Sequence, residues 1–304
     1  MFTASTLMFL HAETSVHLGS GESHGAVDLA IQREKHTGFP MGAASGIKGA
    51  VRSWFSDRHG TTPRHTAVFG PGTDNADAHA GAVAFTDARL LLFPVRAMNG
   101  VFAWVTCPTA LQRLRRDVAA VDASVNWTVP DPDEDTALGT DANVNQTNGE
   151  VLLEDSHFSF RADETANNLA LWLTNRALPD SEAYEYWTAS SRTRLLILHD
   201  DAFRNLATHA TEVQARVKLN DEGTTGEGGN LFYQENLPSD ALLYAQVLAQ
   251  DDLSGALDTD AQAPDLLDYV RRLDGHRLQI GGDASVGRGL THVHFLPSTR
   301  NGSS

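Results

Sequence analysis

The sequence predicts an α+β fold organised on one mainly antiparallel sheet, and three observations predict it. Segments at strand period alternate with segments at helical period, but without the continuous strand-helix-strand rhythm of a parallel sheet. Short turns repeatedly join neighbouring strands. No self-similarity recurs at the periods of solenoid repeats. With 304 residues, 41% of them hydrophobic, the chain is long enough to bury a full core as one large domain.

The elements follow in order. A strand over 5–12 runs into a glycine-rich turn, after which Ser45 is placed to cap a helix carrying Ile47, Val51, Trp54 and Phe55 at helical spacing. Apolar runs at 82–95 and 101–107, joined at Asn99-Gly100, read as a strand pair. Pro108 opens a helix to Val121 with leucines inward and Arg113, Arg115 and Arg116 outward. Residues 128–149, within an acidic block at 122–155, hold two prolines, two glycines and no positive charge, and read as a mobile insertion. Beyond it come a strand at 151–160, a helix at 167–178, a strand at 195–198, a helix at 201–213 and a strand at 215–220. The glycine-rich stretch 221–240 reads as a β-hairpin arm, thumb-like over 219–240, returning through a strand at 241–249. A helix at 265–273 and a strand pair around 281–289 close the fold, with 297–304 expected as a disordered tail.

No apolar run approaches the roughly 20 residues of a membrane span, and no basic leader precedes an apolar core, so a cytoplasmic protein is expected. Cys107 is the only cysteine, which excludes an internal disulfide and a thiolate zinc cluster. The net charge of −16 argues against nucleic acid as a partner until its distribution is considered. Nine of the 39 acids lie in 122–155 and eleven in 219–268, and neither block contains Lys or Arg. Outside them the chain is slightly basic, which leaves room for a phosphate-binding face. Arginine far outnumbers lysine, present only at positions 35, 48 and 218, which suits phosphate forks or equally reflects genomic composition or a saline habitat.

Two stretches carry chemical content. In Ile280-Gly281-Gly282-Asp283-Ala284-Ser285-Val286-Gly287-Arg288-Gly289, four glycines surround one arginine, a pattern that suits a phosphate cradle or a flexible hairpin turn. It lacks the Gly-Lys-Ser/Thr of a nucleotide-binding loop. Near the start, His17-Leu18-Gly19-Ser20-Gly21, Val27 to Glu34, Thr37-Gly38-Phe39-Pro40 and Ser45 to Gly49 combine glycines, the carboxylate of Asp28 and basic residues, with Lys48 in the first turns of a helix. This is either an anion-binding surface or an ordinary polar loop. His292 and His294 share one strand face without a third ligand, and Asp200-Asp201 stand where a helix starts, so these read as surface and capping residues.

These motifs, with Phe69-Gly70, His79-Ala80-Gly81, the run from Asp87 to Arg96 and Phe102 to Pro108, resemble the repeated backbone subunit of type III-B CRISPR effector complexes, the Cmr-module member of the RAMP superfamily. The resemblance spans nearly the whole chain, the acidic segment excepted. It implies a modified RNA-recognition-like (ferredoxin-like) palm with a β-hairpin thumb and inserted segments. It also implies copies stacked in a helical filament on a guide CRISPR RNA, beside other subunits of the complex, each copy cutting the target RNA. Carried over by motif, Asp28 is the catalytic carboxylate and His17 assists. Glu227 and Tyr233 of the arm are further catalytic candidates, and Phe232 is placed to stack on bases. Lys48, Arg52, Arg33 and Ser45 contact RNA with Gly281, Gly282, Gly287, Arg288 and Gly289. One carboxylate cannot hold two metals, so a single Mg²⁺ or Mn²⁺ shared by Asp28 and RNA phosphates is expected.

Overall fold

Strand β1 (Ala4–Ala12) is apolar on both faces: Met8, Leu10 and Ala12 enter one buried cluster, and Leu7 and Phe9 another. A strand of this kind belongs in a sheet covered on both sides. The computed structural model describes residues 1–21, 27–72, 75, 77–121, 127–217, 231–255, 257 and 261–297. In it β1 lies antiparallel between β14 (Leu290–Phe295) and β12 (Leu242–Ala249). The sheet continues from β12 through β4 (Ala88–Arg96), β5 (Phe102–Thr106), β9 (Leu195–Ile197), β6 (Thr136–Gly139) and β8 (Ser156–Ala162) to β7 (Glu150–Leu153), and beyond β14 it ends at β13 (Arg277–Gln279). Short strands β2 (Met41–Gly42) and β3 (Val83–Phe85) pair on β4 and β12. Among the described strands only β5 with β9 and β6 with β8 run parallel, so the class is α+β with a mostly antiparallel sheet.

Helices cover both faces. On the Met8 side lie α1 (Ala44–His59) and α2 (Pro63–Phe69), through Ile47, Val51, Phe55 and Phe69. On the Leu7 side lie α3 (Pro108–Val121) and α4 (Glu164–Arg176), through Leu111, Leu114, Leu169 and Leu173. Helix α5 (Glu185–Arg194) packs along α4, while α6 (Asp200–His209) and α7 (Ala263–Arg271) join the Met8 side. A separate ribbon pairs β10 (Glu212–Val217) with β11 (Leu231–Asn236).

Several details differ from the sequence reading. Ser45 lies inside α1; the N-cap is Ala43, and the Ala44 N–H donates to Asp87 Oδ1 at 2.8 Å, so a carboxylate from the start of β4 replaces the local cap. The run 82–95 breaks at Thr86-Asp87, where the Gln246 N–H donates to Thr86 Oγ1. Residues 151–160 are a tight hairpin, β7 and β8, and 201–213 divide into α6 and the start of β10. The acidic segment at 127–155 carries β6 and β7, with Trp127, Ala137 and Leu138 buried and Asn145 Nδ2 donating to the Asn99 and Phe102 carbonyls. These residues are part of the sheet rather than an appendage to it. Asp200 serves as a cap, although for a neighbour: its carboxylate accepts from the N–H (2.9 Å) and hydroxyl (2.5 Å) of Thr109 in the first turn of α3.

Candidate RNA-binding and cleavage site

The two glycine-rich stretches meet. His17 bridges to Gly282, whose N–H donates to the His17 carbonyl at 2.9 Å, and together they wall an open cleft of about 350 Å³ lined by His17, Gly19, Gln32, Gly46, Gly281 and Gly282. Glycine is required at two points. Gly281 has φ +72°, and a Cβ there would lie 2.3 Å from the His17 carbonyl oxygen; Gly289, φ +75°, would place one 2.0 Å from the Ile280 oxygen. Backbone approach explains these glycines before any ligand is considered. Gln32 braces the opposite wall, donating to the Gly19 carbonyl and accepting from the Ala43 N–H.

Asp28 and His17 hang from one edge of β11. Asp28 Oδ2 accepts from the Tyr233 N–H at 2.8 Å, and the Asp28 N–H returns a bond to the Tyr233 carbonyl at 3.1 Å. His17 Nδ1 lies 2.7 Å from the Glu235 carbonyl oxygen. Since a carbonyl only accepts, a proton sits on Nδ1, which leaves Nε2 as the ring nitrogen turned away from β11. Tyr233 and Glu235 are two positions apart in a strand, so the two groups attach about 6.6 Å apart. Asp28 is exposed at this edge.

The basic residues divide. Lys48, at the first turns of α1, is half-buried, and desolvation followed by the charge of Arg52 lowers its pKa. Arg52 donates one bond, to the Pro71 carbonyl, and Ser45 is exposed on the same helix. Arg33, expected on RNA, is turned inward instead: it pairs with Glu235 Oε1 at 2.5 Å and donates to the Gly38 and Ala207 carbonyls. Arg288 is likewise committed, to Gln214 Oε1 and to Glu212 at 3.8 Å, with 12% of its side chain exposed. Gly287, φ +80°, has open space around it on the exposed loop. Phe232 is half-buried and paired across the ribbon with Arg216, whereas Tyr233 is 43% exposed. Glu227 lies outside the described residues.

The residue that sequence reasoning missed is Glu235. Its buried carboxylate accepts from Arg33, the Thr211 hydroxyl at 2.8 Å and the Ile31 N–H at 3.1 Å, tying the arm to the loop that carries Asp28. An acid inside an acidic, cation-free block was the available hint, because such a group needs a distant partner.

Protein donors alone do not suit a bound metal. Among the described residues no three His, Cys, Asp or Glu side chains gather where an ion could sit, and one Asp28 oxygen is already engaged by Tyr233. A six-coordinate hard cation would need most of its oxygens from elsewhere.

This fold and cleft define a class. The RAMP superfamily model matches residues 9–292, and the chain belongs to that superfamily. Within it, the chain is 33% identical over 300 residues to the CRISPR system Cmr endoribonuclease Cmr4 of Pyrococcus furiosus, covering 98% of each chain. It is 26% identical to the CRISPR system CMR subunit Cmr4 of Saccharolobus solfataricus, covering 95% of each. The crystal structure of oligomeric Cmr4 from Pyrococcus furiosus superposes with a TM-score of 0.73 at 28% identity, covering 97% of this chain and 99% of that one.

Proposed function

We propose that this protein is a guide-RNA-binding backbone subunit of a type III-B CRISPR ribonucleoprotein that cuts complementary target RNA at regular intervals. The observation that carries the reading is Asp28 and His17 held on one strand edge, beside a glycine-walled cleft built from both ends of the chain. The full-length relationship to an endoribonuclease of the same superfamily supports it. Further copies of the chain, the guide, the target and other subunits of the complex are its partners, and the cytoplasm is its compartment. Among the described residues no helix is long and apolar enough to cross a membrane.

In this reading the exposed backbone at Gly281, Gly282 and Gly287, with Lys48 and Arg52, carries guide phosphates. Tyr233 offers a face on which a displaced target base stacks. The target's own 2′-hydroxyl attacks the adjacent phosphorus to form a 2′,3′-cyclic phosphate as the P–O5′ bond breaks. The hydroxyl proton passes to Asp28 or to His17 Nε2, and the departing O5′ takes a proton from water to leave as a 5′-hydroxyl. A Mg²⁺ or Mn²⁺ held by Asp28 together with RNA phosphates would supply charge neutralisation at the scissile phosphate. The test is Asp28→Ala in the reconstituted complex, with a matched target and one carrying a 2′-deoxy nucleotide at the scissile position. Both changes abolish cleavage while assembly persists. Undiminished cutting by Asp28→Ala makes the subunit a structural coat, and cutting of the deoxy target excludes the 2′-hydroxyl as nucleophile.

A further inference from the structure

The β10–β11 ribbon has two unlike faces. On one, Val213, Val217, Leu231 and Tyr233 are about half exposed. On the other, successive same-side residues Glu212, Gln214 and Arg216, with Gln234 across the pair, all reach the glycine-rich loop. Arg216 donates to Asp283 Oδ2 at 2.9 Å, and Gln234 donates to the same oxygen. From the far end of the loop, Arg288 returns to Gln214 and Glu212, and the Ser15 hydroxyl donates to Glu212 at 2.6 Å. Asp283 has φ +64°, a left-handed conformation that aspartate tolerates better than most residues.

We infer that Asp283 and Arg288 latch the glycine-rich loop to the polar face of the arm, and that this latch, rather than contact with RNA, is what Arg216, Asp283 and Arg288 do. The inference rests on the proposed nuclease function for its consequence: the latch sets the arm's register, and β11 in turn carries the backbone groups that hold Asp28 and His17. The Arg216–Asp283 pair is partly sheltered, at 25% and 27% exposed, so water screens it less than a fully exposed pair. Desolvation would raise the Asp283 carboxyl, but the Gln234 and Arg216 donors and the Arg216 charge outweigh it and hold it below the usual range. A guide phosphate competing for Arg288 would have to draw a side chain that is 12% exposed away from Gln214 and Glu212, which is why the arginine is assigned to position rather than to binding.

The test uses the full chain assembled on guide RNA, with Arg216→Gln, Asp283→Asn, their double variant, Arg288→Gln and the charge-keeping Arg216→Lys. Target cleavage falls roughly 10- to 100-fold in the single variants through misplacement of the cutting groups. The Arg216–Asp283 double variant loses no more than either single one, and Arg216→Lys recovers part of the rate. Guide-RNA affinity and its salt dependence stay unchanged, while amide exchange at 212–217 and 231–236 accelerates. A guide affinity that drops in Arg288→Gln, with a salt slope shallower by about 0.7 as one single-strand phosphate contact is lost, overturns the inference. So does unchanged arm exchange in all variants. Because exchange is read without cleavage, a failed latch remains distinguishable from a failed nuclease reading, which Asp28→Ala decides.

Discussion

At the scale of single residues, the molecule spends its buried polar groups on geometry. Arg33 and Glu235 show this, since an arginine that reads as a phosphate contact is consumed by an acid 202 positions away. No local pattern encodes that pairing, whereas the glycines at 281 and 289 are legible because their neighbours in sequence already signal a sharp turn. His11 gives the clearest pH prediction. It is 2% exposed, ringed by Trp104, Tyr184 and Trp187, and burial followed by the charge of His292 pulls its pKa to about 4 from 6.5. Between those values the unfolded chain binds the extra proton, so stability is full above pH 6.5 and falls by about 3 kcal/mol as pH drops to 4. Urea unfolding at pH 7 and pH 4.5 measures it, and His11→Phe flattens the slope; a variant with the native pH dependence removes His11 as the cause.

At the scale of elements, legibility followed the strength of local signals. Helix α3 runs from Pro108 to Val121 as its proline start and leucine spacing require. Helix α5 escaped because Glu185–Arg194 is polar with little periodicity, and β6 because four residues inside an acidic segment make too short a pattern. The start of α1 was misassigned for a different reason: the acceptor of its first free N–H, Asp87, lies 43 positions away. Asp87→Ala should therefore cost about 1 kcal/mol in denaturant unfolding, as loss of a helix cap does, while Ser45→Ala costs almost nothing. Equal losses would return the capping role to Ser45.

At the scale of the whole molecule, net charge and partner are reconciled by how few cations the cleft leaves uncommitted. Of Arg33, Lys48, Arg52 and Arg288, only Lys48 and Arg52 are without an acidic partner among the described residues. Guide binding should then show a slope of log affinity against log salt of about −1.4 per subunit, from two contacts to single-stranded RNA, rather than about −2.8 from four. Titration of the assembly with guide between low and moderate salt separates the two. The cleft itself was readable as two halves from sequence, but their meeting was not, because His17 and Gly282 lie far apart in the chain and are brought together by the pairing of β1 with β14.

That meeting also orders events in time. Strand β1 finds both of its sheet partners in β12 and β14, which follow it in the chain and are therefore synthesised well after it. Lys48 and the loop around Asp28 therefore emerge long before the wall at Gly281 exists to oppose them. In the proposed reading, a nascent chain that has not yet made the 281–289 loop holds only one wall of the cleft, so guide binding that uses both walls waits for that loop.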